Sequence, residues 1–409
     1  MKYLFWVSTI LVVYAYFGYP ILLWILSKLK LKQVTSRPIE PTVSLVMAVR
    51  NEASRLVSKL KNLSDLDYPA GQIEVIVVSD GSTDETNEVL EKSLGVRAII
   101  NPNNSGKAAA INAAIPIATG DIVVFTDVRQ EIEPAALRAL VANFADTEVG
   151  CVSGELLFRG ATGSAESGVS LYWRLEKVIR KLESSTGSVV GATGALYAAR
   201  RTLVPTLPEG TLLDDVYIPM VVSRAGYRVV FEPAARAWDE PPHAGGHEFR
   251  RKVRTLAGNY QLVQIAPWLL TRVNSLRWRF VSHKLLRLAV PFLLMAVFLS
   301  SIALLNDNAY RTVAVLQGVF YLFAILGLVS QGRIRAAAAP ASFCLLNAAA
   351  ATALVSFVRY RSSPTQLWSG GASTTPVPFC RDRIVRSGSG EDGALSVEDA
   401  AISTSGGAK

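Results

Sequence analysis

The sequence predicts an α/β domain on a doubly wound, mostly parallel sheet, flanked by helices that cross a membrane. Three observations predict it. Short β-branched apolar runs recur between residues 43 and 126. Stretches of helical periodicity alternate with them, the pattern of a parallel sheet covered on both faces. Four further runs, Tyr3–Ser27, Leu288–Asn306, Thr312–Gly332 and Ala336–Val358, contain no charged residue, and each approaches the roughly 20 residues that span a bilayer as a helix.

Within the α/β region the predicted strands are Val43–Val49, Ile73–Ser79, Arg97–Ile100 and Ile122–Thr126. They are nearly continuous apolar runs, as strands buried on both faces must be. Helices are expected over Ala53–Leu66, Asp84–Leu94, Lys107–Ala118 and Pro134–Phe144. Beyond Gly150 the pattern loosens. A long helix is expected around Ser164–Ser185, then a Gly-rich turn at Gly187–Gly194, strands at Ala195–Ala199 and Tyr227–Glu232, and a helix over Glu248–Leu262. Ligands of such sheets bind outside the carboxyl ends of the strands, so polar residues just after each strand matter most.

The domains expected are an N-terminal span at 1–29, a soluble domain at 40–262, a basic membrane-interface segment at 263–287, a membrane region of about three spans at 288–358, and a flexible tail at 370–409 rich in Gly, Ser and Ala. The first span is too long for a signal-peptide core and ends in Leu26-Ser27-Lys28-Leu29-Lys30 without a small-residue cleavage site, so it is read as a retained anchor. Lys28, Lys30, Lys32 and Arg37 follow it, against Lys2 before it, which puts the domain in the cytosol. Between Arg250 and Arg287 there are nine Lys or Arg and no Asp or Glu, a block suited to anionic headgroups. The net charge of +9 therefore sits beside membrane segments, and a nucleic-acid partner is not expected. Arg359 and Arg361 pull the C-terminus inward while three full spans would leave it outside, so its side stays open. Cys151, Cys344 and Cys380 have no metal or redox spacing and are read as ordinary thiols.

Three carboxylate positions carry the candidate chemistry. Asp80 follows the second strand in Ser79-Asp80-Gly81-Ser82, where a carboxylate can accept hydrogen bonds from a base or ribose and Gly81 lets backbone approach a ligand. The same tetrad is also ordinary turn and cap chemistry. Asp127 ends the fourth strand, where it could hold Mg²⁺ or Mn²⁺ against a diphosphate, with Arg129 pairing phosphate oxygens directly. Asp214-Asp215 supplies a carboxylate for a general base, or simply an acidic helix start. Lys107, Arg251 and Arg254 could reach phosphates, although Arg250–Arg254 also fits a membrane-facing basic strip. Asn101 and Ala108 break the Walker pattern around Gly106-Lys107, which excludes a P-loop ATPase. His243 and His247 are separated by Gly245-Gly246 and are not expected to bind metal.

In order and spacing, Val43–Glu52, Ser79–Asp84, Asn104–Lys107, Phe125–Asp127, Leu213–Asp215 and the Arg251–Thr255 stretch resemble family 2 glycosyltransferases of the GT-A fold. Together they are similar to the membrane-bound branch that includes the cellulose, hyaluronan and poly-N-acetylglucosamine synthases. The resemblance covers roughly residues 40–260. It implies that Ala48, Asn51, Glu52 and Asp80 surround a uridine, with Gly81 beside them. It places Asp127 on a metal–diphosphate, Gly191, Thr193 and Gly194 at the acceptor approach, and Asp215, with Asp214 beside it, as catalytic base. Arg251 and Arg254 fall where the family has Gln-x-x-Arg-Trp. Two departures matter. Arg129 replaces the second Asp of Asp-x-Asp, and Thr255 replaces the Trp that packs near an acceptor sugar in the processive enzymes.

The implied activity is inverting transfer of a sugar from a UDP-sugar to a glycan or lipid-linked acceptor at the cytosolic face of the cell membrane. Polymer synthesis and single-sugar transfer are both open. A non-catalytic membrane scaffold that binds nucleotide or a synthase partner is the rival of another class. A nucleotidyltransferase on a similar sheet lacks its Gly-rich first loop, because Arg50-Asn51-Glu52 stands there.

Overall fold

The computed structural model describes residues 1–159, 166–240, 246–330 and 334–359. His243, the His247 side chain, Cys380, Arg361 and the tail at 370–409 lie outside what is described. The strands are β1 (Val43–Val49), β2 (Ile73–Asp80), β3 (Val96–Asn101), β4 (Ile122–Thr126), β5 (Glu131–Ile132), β6 (Val149–Phe158), β7 (Leu196–Arg200) and β8 (Arg228–Asp239). They form one sheet in the order β3-β2-β1-β4-β7-β6-β8-β5. The first four are parallel. β7 runs antiparallel to both β4 and β6, while β8 returns parallel to β6. The strand order reverses beside β1, which opens a crevice at the carboxyl ends of β1, β2 and β4.

Alternation along the strands builds the two faces. Val43 and Leu45 of β1 and Ile122 and Val124 of β4 join one core with Leu137, Leu140 and Val141. Val46, Val123 and Phe125 join the opposite core with Ala108, Ile111 and Ala114. The helices are α1 (Lys2–Leu29), α2 (Ala53–Ser64), α3 (Thr86–Lys92), α4 (Lys107–Ala114), α5 (Ala136–Ala142), α6 (Glu166–Ser185), α7 (Asp214–Arg224), α8 (Gly246–Ile265), α9 (Arg277–Ala303), α10 (Asn308–Val329) and α11 (Arg335–Arg359). Small side chains on α4 let it sit close on the sheet, and this fixes Lys107 at its first position.

Among the described residues, four helices are long and apolar enough to cross a membrane: α1, α9, α10 and most of α11. Tyr3, Ile10, Phe17, Leu316 and Val329 stand outward on them, each more than half exposed, as lipid-facing side chains do. α9 starts at Arg277, eleven residues before the charge-free run that predicts a span from Leu288. Two of the basic residues in its first turns have carbonyl or carboxylate partners. Arg279 donates to the carbonyl oxygens of Glu183 and Ser188, and Arg287 pairs with Glu176 at 2.9 Å. α11 also packs on α8, with Ala349 and Ala353 against Val253 and Ala257.

Candidate active site

Two halves of the site lie at the sheet's carboxyl edge. The first is built of loops. Asp80, 3% exposed, accepts the backbone N–H groups of Ser105 at 2.9 Å and Gly106 at 2.7 Å. With its amide nitrogen turned toward Asp80, Asn104 donates to Asp80 Oδ2 at 2.9 Å and accepts from Arg50 Nη1 at 2.9 Å. Gly81 adopts φ +66°, and a Cβ there would lie 2.5 Å from the Asn104 nitrogen, so only glycine fits. Asn51 has φ 53°, a conformation Asn tolerates, and its Oδ1 accepts from Thr83 N at 2.8 Å. Glu52 N–H donates to Thr86 Oγ1 at 2.9 Å, and the Glu52 carboxylate pairs with Arg55. Ala48 lies half-buried at the end of β1. The residues expected around a nucleoside are therefore gathered on adjoining turns, with Asp80 as the knot between them.

The second half is held by charge. Lys107 Nζ lies 3.0 Å from Asp127 Oδ1 and 3.2 Å from Asp214 Oδ1. The lysine expected on a phosphate thus has carboxylate partners. Burial pulls its ammonium down, but Asp127, Asp214 and Asp215 together hold it well above its ordinary range. Asp214 is buried and also accepts from Tyr197 Oη at 2.8 Å. Asp215 accepts the Gly194 N–H at 3.1 Å, and its backbone oxygen accepts from Ala192 N at 2.7 Å. Burial, and then the neighbouring Asp214 charge, push the Asp215 carboxyl up to about 6. Gly191 and Gly194 therefore lie directly against Asp215, while Thr193 between them donates its N–H to Ser153 Oγ at 3.0 Å.

Asp127 keeps 42% of its side chain exposed. Arg129 is engaged elsewhere, on Asp239 Oδ2 at 2.7 Å, with Gln130 Nε2 on the same oxygen at 2.8 Å. Among the described residues no group of three or more His, Cys, Asp or Glu converges to hold a metal. One exposed carboxylate fits a Mg²⁺ or Mn²⁺ ion that takes its other ligands from phosphate oxygens and water.

α8 closes the site. Burial lowers the Arg254 guanidinium, and Asp127 is the carboxylate that most offsets this, which sets Arg254 toward the charged half. A Cβ on Gly258 would lie 2.6 Å from Leu213 Cγ, so glycine lets α8 reach the loop before Asp214. Gln261 ties the same loop, accepting from Leu212 N at 3.0 Å and donating to Gly210 O at 2.8 Å.

Sequence reasoning missed three residues here. Tyr197 and Asp239 act through pairs distant in sequence and leave no local signal. Lys59 is buried, with Nζ 3.1 Å from Thr126 Oγ1 and 2.6 Å from Gln130 O, and burial lowers it to about 7. Its signal was a lysine on the apolar stripe shared by Leu56 and Leu63.

Against known proteins, the family model for glycosyl transferase family 2 matches residues 44–203. Residues 44–203 form a family 2 glycosyltransferase domain. The probable glycosyltransferase YdaM of Bacillus subtilis (strain 168) is 28% identical over 239 residues, 54% of this chain and 56% of that protein. A poly-beta-1,6-N-acetyl-D-glucosamine synthase of Staphylococcus aureus (strain COL) is 24% identical over 54% of this chain and 55% of its own length. The chain thus spans about half the length of the curated relatives it matches. A mannosyltransferase from Pyrobaculum calidifontis, solved with GDP-Man and Mn²⁺, superposes with a TM-score of 0.63 at 26% identity, over 85% of this chain and 98% of its own. The family 2 domain carries the GT-A fold, in a chain whose described residues include four helices long and apolar enough to cross a membrane. Asp214, Asp215 and α8 follow the stretch that the family model matches.

Proposed function

We propose that this chain is an inverting glycosyltransferase that moves a sugar from a UDP-sugar to a glycan or lipid-linked acceptor at the cytosolic face of the cell membrane. The observation that carries it is the placement of Asp215, fixed by Gly194 and Ala192 beside the Lys107–Asp127 pair. Asp215 takes the proton of an acceptor hydroxyl as that oxygen forms its bond to the anomeric carbon. The bond from that carbon to the diphosphate breaks on the opposite face, and the nucleoside diphosphate leaves with the electron pair. Arg251 and Arg254 meet its growing charge, and such electrostatic help is usually the largest catalytic contribution. Asp127 is the residue that would hold Mg²⁺ or Mn²⁺, which would neutralise the same charge. Asp80, Gly81, Ala48, Asn51 and Glu52 shape the nucleoside pocket. Lys107 acts on Asp127 and Asp214 rather than on the donor itself.

The likeness to the poly-N-acetylglucosamine synthase supports a polymer product. The likeness to the mannosyltransferase favours a second reading of the donor, a GDP-sugar. The test is nucleotide release and sugar transfer by the full chain in nanodiscs, screening UDP- and GDP-sugars with Mg²⁺ or Mn²⁺ beside Asp215→Asn. Release from one donor, lost by a factor of about 10² to 10⁴ in the variant, names the donor, and product length separates polymer from single transfer. No turnover and no nucleotide binding would leave a scaffold for a synthase partner as the reading in its place.

A further inference from the structure

Two membrane helices meet the soluble domain at one buried carboxylate. Glu183, 0% exposed near the end of α6, accepts a short hydrogen bond from Tyr19 Oη of α1. His283 Nδ1 of α9 lies 2.9 Å from the same Glu183 oxygen, and its Nε2 lies 3.0 Å from Glu176. Both helices carry a π-helical turn at this level, Tyr14–Gly18 in α1 and Val281–Leu285 in α9. The two turns are tied together, Tyr14 Oη to Ser282 Oγ at 2.8 Å, with Trp278 Nε1 donating to Tyr14 Oη at 2.9 Å. π turns are rare inside helices and are frequent at functional sites.

The other oxygen of Glu183 faces inward. Glu183 Oε2 accepts the backbone N–H of Val190 at 3.3 Å. Val190 begins the turn through Gly191 and Gly194 whose N–H groups, from Ala192 and Gly194, hold the Asp215 backbone and carboxylate. Arg279 Nη1 fixes both ends of the connection from α6 to this turn, donating to Glu183 O at 2.6 Å and Ser188 O at 2.8 Å. A path of hydrogen bonds, joined by the backbone from Val190 to Gly194, therefore runs from these two helices to the group read as the catalytic base.

We infer that Glu183, clamped by Tyr19 and His283, is a positioning residue that lets α1 and α9 set the geometry of Asp215 toward the acceptor. The inference rests on the reading of Asp215 as base. It separates the two halves of the site, because no link in this path touches Asp80 or the loop that it gathers. A small displacement of a reacting group is costly to turnover even when the displacement starts far from the chemistry. Loss of the clamp should therefore lower kcat and leave donor recognition in place.

The test uses the full chain in nanodiscs, with UDP-N-acetylglucosamine or whichever donor the screen above selects. Glu183→Ala should lower kcat at least about tenfold with donor KM within about twofold, the signature of an interaction made only in the transition state. Glu183→Gln keeps an oxygen for Val190 N–H and should recover most of that loss. Tyr19→Phe removes one hydroxyl from the membrane side and should lower kcat about threefold at unchanged donor KM, a step of under 1 kcal/mol. A purely structural role would lower the amount of folded protein and not the turnover of what remains folded. Unchanged kcat in folded Glu183→Ala and Tyr19→Phe, or a rise in donor KM alone, overturns the positioning role. Asp215→Asn is measured beside them. If it is inactive while the clamp variants keep full kcat, only this inference falls. If it retains transfer, the base assignment falls and takes the clamp with it.

Discussion

The two halves of the site are held by different forces. Around Asp80 nearly every contact is to backbone: Ser105 and Gly106 N–H on the carboxylate, and Gly81 packed under Asn104. In the second half side chains tie one another, with Lys107 between Asp127 and Asp214 and Tyr197 on Asp214, beside an Asp215 that backbone N–H groups hold. Backbone contacts fix a shape that tolerates many changes of side chain nearby. A charge cluster fixes protonation states, and each member depends on the others. Substitutions in the first half should therefore change donor affinity, and those in the second should change turnover and its pH dependence.

The largest effect is expected from Lys107→Met. It leaves two facing carboxylates without their cation, and breaking a buried ion pair costs about 3–5 kcal/mol. Turnover should fall by about 10² or more, and the pH midpoint of what remains should rise, because Lys107 is among the groups that pull the Asp215 carboxyl down. An unmoved midpoint breaks the comparison. Gly81→Ala comes next. Its Cβ would strike the Asn104 backbone, so donor KM should rise about tenfold or more, a loss of about 1–3 kcal/mol from strain at a left-handed position, with kcat less affected. Isothermal titration with the nucleotide checks it directly.

The pH profile of the unaltered chain sharpens the second half. Asp215 must be ionised to accept a proton, and its carboxyl stands near 6. Transfer should therefore fall about tenfold per pH unit below 6 and level off above it. Tyr197→Phe is expected to have a smaller effect. It removes one neutral donor from buried Asp214, and about 1–3 kcal/mol of stability goes with an unsatisfied acceptor. The smallest effect lies away from both halves, at Glu74. Burial raises this carboxyl, but hydrogen bonds from Ser44, Thr119 and Arg97 outweigh that and hold it at about 2. Its folded value is depressed, so its stabilisation is present above the unfolded value and lost as pH falls from about 4.5 toward 2. Glu74→Gln should flatten that part of an acid-unfolding curve.

How far the sequence foretold each region follows the same division. β1 and β4 match their predicted bounds, and β2 runs one residue further, because strands buried on both faces must be continuous apolar runs. β6 escaped notice because Gly150, Ser153 and Gly154 interrupt its pattern, and β8 outran its prediction because Glu232, Pro233 and Arg236 look like loop. Asp80, Asp127 and Asp215 were readable as strand-end and helix-start carboxylates in a known order. Their partners were not. The ties of Arg129 to Asp239, Lys107 to Asp214 and His283 to Glu183 each join residues about a hundred positions apart. No local periodicity records such pairs. The early start of α9 has the same cause, since its basic residues read as an interface strip until Glu176 and Glu183 are placed beside them.

The seat of α8 on α11 has a consequence for anyone who would re-engineer this chain. The arginines at 251 and 254 ride on a helix whose Val253 and Ala257 pack on Ala349 and Ala353 of the last apolar helix. A chimera that moved residues 40–262 onto a foreign anchor would keep its nucleoside pocket, since that pocket is built from its own loops. It would carry the arginines on a helix without a bearing surface. If the proposed roles hold, such a chimera should bind nucleotide and lose turnover, and exchanges of membrane anchor should be made with α8 and α11 as a single cassette.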